Sequence, residues 1–389
     1  VGGSAALGNT TIGTAILTVA AIKVQGTLAI TNSGTSSITG IISDGDTAAI
    51  LTKAGAGTLT LSGDNTYTGA TTVSAGVLAI THADALGGTS GATTVADSAY
   101  LKLSNGINVA EAITISGTGI SNSGVIQSNS GDNTLSGQIT LAALNNKIYS
   151  NSSTLTLDVS TGSSITASDK NITFGGSGNI IVADPIAIGS GELDKGGSVI
   201  LTLSAANTYT GATTIHQGVL IATNATSLGT TDGATTIADG AYLKLSNGIN
   251  VAEAITISGT GISNSGVIQS NSGDNTLSGQ ITLAALNNKI YSNSSTLTLD
   301  VSTGSSITAS DKNITFGGSG NIIVADPIAI GSGELDKGGS VILTLSAANT
   351  YTGATTIHQG VLIATNATSL GTTDGATTIA DGAVLQISG

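Results

Sequence analysis

The chain of 389 residues lacks several residue types on which ordinary domains depend. It has no cysteine, methionine or tryptophan, and only 2% of its residues are aromatic. The absence of cysteine excludes disulfides and thiolate metal ligands. The shortage of large aromatic side chains argues against ordinary globular cores, whereas Leu, Ile, Val and Ala can fill a narrow core. Because 39% of the residues are hydrophobic, the composition also argues against disorder.

Arginine is absent too, so all ten basic residues are lysine, against 23 acidic residues and a net charge of −13. An acidic surface without arginine is a poor phosphate binder, which argues against nucleic acid and anionic membrane surfaces as partners. No apolar run of about 18 residues occurs, so no segment of this stretch is predicted to span a membrane as a helix.

Internal repeats dominate what is present. Residues 99–240 are identical to residues 241–382 at all 142 positions. Residues 1–98 form a diverged partial copy of the same unit, and residues 383–389 begin a further one. We expect these segments to form one continuous structure, whose function depends on length or copy number.

Short strands rich in β-branched residues, separated by Gly, Asn, Asp and Ser, are predicted throughout the repeat. The predicted strands are Tyr100–Leu103, Ala112–Ile115, Gln138–Leu141, Thr154–Val159, Asn171–Phe174, Asn179–Val182, Val199–Leu203, Thr213–Ile215 and Gly218–Ala222. A chain that coils with about 20 residues per turn would stack their apolar pairs on the inside. One predicted stack is Leu201/Leu203, Leu220/Ala222 and Leu243/Leu245, and another is Ile113/Ile115, Ile139/Leu141, Leu155/Leu157 and Ile172/Phe174.

Two folds compete for this pattern, a parallel β-helix and a string of β-sandwich domains. Sandwich repeats usually run near 100 residues, with an aromatic core and evident linkers. Here linkers are missing, aromatic residues are scarce and the finer period is about 20 residues. The predicted fold is therefore an all-β parallel β-helix, with about seven turns in each 142-residue unit.

One motif occurs three times, around Tyr67, Tyr209 and Tyr351. Its first copy, residues 51–80, reads LTKAGAGTLTLSGDNTYTGATTVSAGVLAI, in which Leu78 follows Leu59 by 19 residues. This spacing predicts that the motif is one turn of the coil, with its tyrosine packed against a neighbouring turn.

The motif resembles the autotransporter-associated β-strand repeat, which is found in the passenger regions of type V secreted bacterial proteins. The resemblance covers about 30 residues of each unit, including N-T-Y-T-G-A-T-T in every copy. It implies a right-handed parallel β-helix, export across an outer membrane, and a surface or released role that is often adhesive.

Candidate catalytic or metal-binding residues are few. The three histidines are His82, His216 and His358. Because no second histidine, cysteine or carboxylate lies at ligand spacing from His216 in the sequence, these side chains are interpreted as solvated.

Acidic residues form one repeated cluster, Glu192, Asp194 and Lys195, which returns as Glu334, Asp336 and Lys337. The period of two would place both acids on one strand face. A weak Ca²⁺ contact is the functional interpretation. A solvated turn with a surface ion pair to the lysine is the favoured one.

The glycine-rich stretches do not match ligand-binding motifs. Residues 175–179 begin like a calcium-binding nonapeptide, but Ile180 stands where that repeat needs Asp. Gly117 and Gly119 are not followed by the further glycine and helix of a dinucleotide-binding loop. Both stretches are interpreted as positive-φ corners between strands. An ice-binding Thr-x-Thr array is disfavoured too, because the second-copy counterpart of Thr58 and Thr60 is Ile200 and Thr202, so the array is irregular.

The sequence therefore predicts no catalytic, cofactor-binding or metal site and no enzyme. The leading hypothesis is an extracellular structural protein, a rigid β-solenoid stalk or filament segment at a bacterial cell surface. Its expected partners are neighbouring repeats of a longer chain, or copies of itself stacked end to end or bundled through divalent cations.

Two alternatives stay open. An adhesin module that binds glycans or a host protein would carry exposed aromatic or charged clusters on one face, and the seven tyrosines offer little support for it. A β-helix carbohydrate-active enzyme would depend on Glu192 or Asp194. The absence of arginine and the low charged content argue against that class.

Overall fold

The computed structural model describes residues 6–14 and 18–388 and consists of two compact units, Val1–Leu193 and Asp194–Gly389. Each unit is an all-β parallel solenoid with about 22 residues per turn, which confirms the predicted fold. Its right-handed sense, and the expectation that the repeat segments form one continuous solenoid, stay predictions. No helix among the described residues is long and apolar enough to cross a membrane.

Unit 1 is built from parallel sheets to which successive turns add one strand each. Sheet 1 consists of Thr10–Thr14, Thr27–Asn32, Ile50–Ala54, Thr71–Val73, Thr93–Val95, Ile113–Ile115, Ile139–Leu141, Ile165–Thr166 and Ile186–Ala187. Sheet 2 contains Thr18–Val19, Thr35–Ile38, Thr58–Leu61, Gly76–Ile80, Ala99–Ser104, Ile126–Ser130, Asn145–Ser150 and Asn171–Gly176. Sheet 3 contains Asn108–Val109, Asn133–Leu135, Thr154–Leu157 and Asn179–Val182, and a separate two-stranded sheet contains Ile22–Val24 and Ile42–Asp44.

Unit 2 repeats this architecture, after the strand Leu193–Lys195 at the boundary. Sheet 4 contains Thr213–Ile215, Thr235–Ile237, Ile255–Ile257, Ile281–Leu283, Ile307–Thr308 and Ile328–Ala329. Sheet 5 contains Ile200–Leu203, Gly218–Ala222, Ala241–Leu245, Ile268–Ser270, Asn287–Ser292, Asn313–Gly318, Leu335–Lys337, Thr355–Ile357 and Thr377–Ile379. Sheet 6 contains Asn250–Val251, Asn275–Leu277, Thr296–Leu299, Asn321–Val324, Ile342–Leu345, Val361–Ala364 and Val384–Ile387. Two short 3₁₀ turns, Ile120–Asn122 and Ile262–Asn264, are the helical elements of the described chain.

The core of each unit is a stack of aliphatic side chains inside the turns. In the strand Thr58–Leu61 both leucines are fully buried, while the two threonines are half-buried on the outer side. This alternation follows from the two-residue period of a strand. It explains why a chain with few aromatic residues can still bury an extensive core.

The stack predicted at the start of unit 2 is confirmed. Leu201 pairs with Leu220, and Leu220 pairs with Leu243, on successive turns of sheet 5. The second predicted stack is only partly correct. Ile113 does pair with Ile139, but Ile139 then pairs with Ile165.

The remaining members of that second stack lie on other sheets. Leu155 belongs to sheet 3 and pairs with Ile180, and Ile172 belongs to sheet 2. The error has a simple cause. One turn carries up to three strands, so a spacing of 16 or 17 residues connects different sides of the coil.

The repeat length is not a whole number of turns. From Ile200–Leu203, six successive turns along sheet 5 lead to Leu335–Lys337, and the copy of the first strand, Ile342–Leu345, follows on sheet 6. The 142-residue unit therefore spans six turns and about a third of another, rather than seven. As a result, within unit 2 identical strands occupy neighbouring sides of the solenoid.

Candidate functional site

The repeated motif forms one turn, as predicted. In the first copy, Ile50–Ala54 and Thr71–Val73 are neighbours in sheet 1, and Leu59 of sheet 2 pairs with Leu78 one turn later. No strand forms between residues 62 and 70. Asn65 replaces it, because its Oδ1 accepts from the Ile42 amide at 2.8 Å and its Nδ2 donates to the Ala85 carbonyl at 2.6 Å.

A fully buried lysine stands at the corner of each motif turn: Lys53, Lys195 and Lys337. The Lys195 ammonium donates to the carbonyl oxygens of Gly196, Gly197 and Gln217 at 3.0, 2.9 and 2.7 Å. Lys53 and Lys337 make the equivalent three bonds. Burial lowers the pKa of each lysine to about 8. Because all three protons of each ammonium are satisfied by carbonyl oxygens, these lysines fasten the corner and the next turn together.

The motif tyrosine is likewise part of the core, as predicted. Tyr67, Tyr209 and Tyr351 are fully buried and each shares a hydrogen bond with the threonine four residues later, at 2.6, 2.8 and 2.7 Å. Burial raises their pKa, to about 12 for Tyr351. Gly229 packs against the Tyr209 ring so closely that a Cβ atom there would lie 2.7 Å from Cε2.

Two buried glutamates were missed by the sequence reasoning. Glu111 and Glu253 are each 3% exposed, and their Oε1 atoms accept hydrogen bonds of 2.8 Å from Thr93 and Thr235. Oε2 of both has no hydrogen-bond partner, and burial raises the pKa of both carboxyls to about 8. A signal did exist in the sequence. Glu111 shares the inward parity of Ile113 and Ile115, so the alternation in EAITI already places it in the core.

These buried polar groups follow one another along the core. Thr71, the partner of Tyr67, pairs in register with Thr93, which in turn donates to Glu111. Solvent does not reach these side chains, which are at most 3% exposed. The arrangement therefore stabilises adjacent turns and offers no access for a substrate.

His216 and His358 are exposed, as interpreted, but each has a carboxylate partner that was not predicted. His216 Nε2 lies 3.2 Å from Oδ1 of Asp194, and His358 Nε2 lies 3.1 Å from Oδ1 of Asp336. Each partner precedes its histidine by 22 residues, which is one turn. The pairing arises from the coil, so spacing within a short sequence window could not reveal it.

The predicted ion pair between the acidic cluster and its lysine is also wrong. In Leu335–Lys337 the side chain of Asp336 is on the outer side, whereas Lys337 points inward and is fully buried. Glu334 is exposed, as is Glu192 in the earlier copy. Strand alternation places the acid and the lysine on opposite sides of the strand.

One surface cluster has a metal-ligand donor set that the sequence reasoning did not find. Ligand atoms of Asp64, His82 and Asp84 lie within 4.8 Å of one another, and Nδ1 of His82 accepts a bond from the Asp84 amide at 3.2 Å. These three residues could hold a cation. In the later motifs their positions are Ala206, Asn224 and Thr226, and Ala348, Asn366 and Thr368. The donor set is therefore confined to the first motif.

The glycine corners are confirmed at Gly117, Gly119 and Gly176, with φ of 86°, 75° and 107°. Gly178 and Gly175 differ, because neither has a positive φ. Gly175 lies one residue before the end of the strand Asn171–Gly176, beneath the ring of Tyr149. Its small size serves packing rather than a turn.

Comparison with known proteins agrees with this architecture. The passenger-associated-transport-repeat model matches residues 51–80, 193–222 and 335–364, the three motif turns. The chain is similar to the adhesin BmaC autotransporter of Brucella suis biovar 1 (strain 1330), with 30% identity over 338 residues. That match covers 84% of this chain and 7% of the relative. No solved structure matches the chain.

The fold is that of a parallel β-solenoid protein with a buried aliphatic core. The three motif turns are passenger-associated-transport-repeats, which confirms the resemblance seen in the sequence. This combination fits a structural, adhesin-like surface protein of the autotransporter type.

Proposed function

We propose that this chain is a non-enzymatic structural segment of a longer passenger, which holds other parts of the protein away from the bacterial surface. The observation that carries the proposal is the motif turn. In each copy a fully buried lysine bonds to the next turn and the ring of a fully buried tyrosine packs against a glycine of the next turn, so the repeated chemistry of the motif serves the coil itself.

The size of the relative supports a covalent passenger over a fibre of stacked subunits. The match spans most of this chain but only 7% of the autotransporter adhesin. In a solenoid, turns add along one direction and each contacts its neighbours, so copy number sets reach. The expected partners are therefore further turns of the same chain, with stacking between separate copies as the alternative.

We also propose that this chain has no catalytic activity. The buried titratable groups, Glu111 and Glu253 among them, are closed to solvent. The outward acid Asp336 is paired with His358 and does not converge with Lys337. No cofactor is required for this role.

Labelling of intact cells tests the proposal. Antibodies against residues 99–240 should label unpermeabilised cells of the natural host, and external protease should remove the signal. Labelling that appears only after permeabilisation would contradict a surface location. Deleting one 142-residue unit should shorten the projection from the cell that electron microscopy shows. An unchanged length would contradict the proposal that copy number sets this length.

A further inference from the structure

The aromatic side chains outside the core lie on one face of each unit. Tyr67, Tyr209, Tyr351 and both phenylalanines are buried. The remaining tyrosines, Tyr100, Tyr149, Tyr242 and Tyr291, are half-buried. The first two project from the outer side of sheet 2, and the other two occupy the equivalent positions on sheet 5.

Lysines accompany these tyrosines in a fixed register. In unit 1, Lys102, Gln127 and Tyr149 are paired on three successive turns. Tyr100 lies two residues before Lys102 on its strand, and Lys147 lies two residues before Tyr149. We name this surface the tyrosine–lysine strip. It consists of Tyr100, Lys102, Lys147 and Tyr149 in unit 1, and Tyr242, Lys244, Lys289 and Tyr291 in unit 2, whereas Gln127 and Gln269 on the turn between are buried.

The ring of Tyr149 lies along the sheet rather than standing away from it. A Cβ atom added to Gly175, the next residue in register, would meet Cε1 and Cζ of that ring at 2.6 and 2.8 Å. On the preceding turn, Gly124 lies against Cβ and Cγ of the same tyrosine. The two glycines therefore leave room for a ring that covers the backbone, with part of it open to solvent. Gly266 and Gly317 do the same for Tyr291.

Charge sets the strip apart from the rest of the surface. The protein carries a net charge of −13, yet four of its ten lysines lie in the two strips. In unit 1, none of the residues that pair with the strip on the turns before and after it is a carboxylate. These residues are Val77, Ala79, Thr173 and Gly175. In unit 2 the carboxylate of Asp336 is two turns beyond Lys289 and is paired with His358.

We propose that the tyrosine–lysine strip binds an extended acidic polysaccharide. An aromatic ring that lies along a surface can pack against the apolar face of a sugar ring, and lysine attracts carboxylate or sulfate groups. Tyr100 and Lys147 are two turns apart, as are Lys102 and Tyr149, so each of these two rows places one ring and one charge about 10 Å apart along the strands' stacking direction. A polymer that repeats sugar rings and anionic groups fits this spacing.

This proposal adds a ligand to the structural role and revises the sequence-based view that the tyrosines offer little support for binding. Its failure would leave the structural role intact, because that role is tested by surface labelling and length. The proposed ligand contributes both sugar rings and anionic groups, and the binding experiment separates the contribution of each.

Binding of the full chain to dextran sulfate, dextran, polygalacturonate and linear polyphosphate tests the proposal by calorimetry. Dextran sulfate and polygalacturonate should bind, with an affinity that falls as salt screens the lysines. Neutral dextran, which lacks the charge, should bind much more weakly, and polyphosphate, which lacks sugar rings, should bind more weakly than the acidic sugars. Equal affinity for polyphosphate, or no binding of either acidic polysaccharide, would overturn the proposal.

Variants identify the surface. Replacing Lys102, Lys147, Lys244 and Lys289 by Gln should weaken binding by about tenfold or more, since several ion pairs are lost together. The matched control replaces Lys170 and Lys312, which precede the neighbouring strands, by Gln and should leave the affinity unchanged. Tyr149→Leu with Tyr291→Leu keeps the glycines covered but removes two of the four rings of the strips. It should weaken binding of the acidic sugars and spare binding of polyphosphate. An equal effect of the control, or no effect of the tyrosine variant in folded protein, would contradict the assignment.

Discussion

The buried ammonium of Lys195 donates a hydrogen bond of 2.7 Å to the carbonyl oxygen of Gln217, which lies 22 residues later in the sequence. The bond connects one turn of the solenoid to the next. Lys53 and Lys337 make the same connection to Ala75 and Gln359. The most recognisable charged residue of the motif thus serves cohesion between turns rather than binding of a partner.

Removing this ammonium should destabilise the solenoid. Lys195→Met leaves three carbonyl oxygens without their donor and is expected to lower the free energy of unfolding by about 2–4 kcal/mol. Urea denaturation followed by circular dichroism measures the change. Lys312→Met, at a half-buried outer position, is the control and should shift the midpoint little. Equal midpoints for the two variants would show that the buried bonds contribute nothing.

The buried glutamates predict a pH dependence. Their pKa is about 8 in the folded chain, against an ordinary value of 4.5. Because the folded state holds these protons more tightly, their stabilisation is complete below about pH 4.5 and is lost as pH rises through about 8. The buried lysines do not contribute over this range, since their stabilisation is gained only as pH rises above about 8.

Replacing both acids isolates their contribution. Glu111→Gln with Glu253→Gln mimics the protonated form and should flatten the dependence of the melting temperature between pH 5 and 8. The parent chain should lose stability over the same interval. A slope that is identical in the parent and the variant would assign the effect to other groups.

Packing of the motif tyrosine can be tested at one glycine. Both Gly229 and Gly240 have positive φ, at 103° and 82°, but only Gly229 faces the Tyr209 ring, and Gly240 has open space around it. Gly240→Ala should cost about 1–2 kcal/mol for its backbone conformation alone. Gly229→Ala should cost about 1–3 kcal/mol more, because the methyl group collides with the ring. Chemical denaturation of both variants gives the difference, and equal losses would contradict the tight contact.

Divalent cations should have little effect on the acidic cluster of the repeat. Asp336 is paired with His358, and Lys337 is turned inward, so we expect millimolar Ca²⁺ or EDTA to leave the melting temperature unchanged. A Ca²⁺-dependent increase would contradict this. Zn²⁺ provides a separate comparison, because the donor atoms of Asp64, His82 and Asp84 do converge. A Zn²⁺-dependent increase that is lost in His82→Ala would assign a site to the first motif.

Much of the fold could be predicted from the sequence because the relevant patterns are local. The alternation in Thr58–Leu61 and the 19-residue step from Leu59 to Leu78 follow from strand and turn periods. Leu155 was predicted in the wrong stack because up to three strands share a turn, and residue spacing alone does not show which sheet a strand joins.

Local sequence patterns could not predict which side chains contact each other between turns. Asp194 meets His216, and Gly175 lies beneath Tyr149, only because the coil brings residues more than 20 positions apart into register. The strip of tyrosines and lysines is invisible in the sequence for the same reason. Fixing the turn length first, at about 22 residues, would have brought these pairs together.

X-ray diffraction from oriented, purified chain tests the central claim most directly. In a parallel solenoid the strands run across the long axis and stack along it through hydrogen bonds, so the account predicts an axial reflection at about 4.8 Å. Strands that run along the long axis in successive sandwich domains would move this spacing to the perpendicular direction. That result would contradict the solenoid fold and, with it, the proposal that the number of turns sets the length of the passenger.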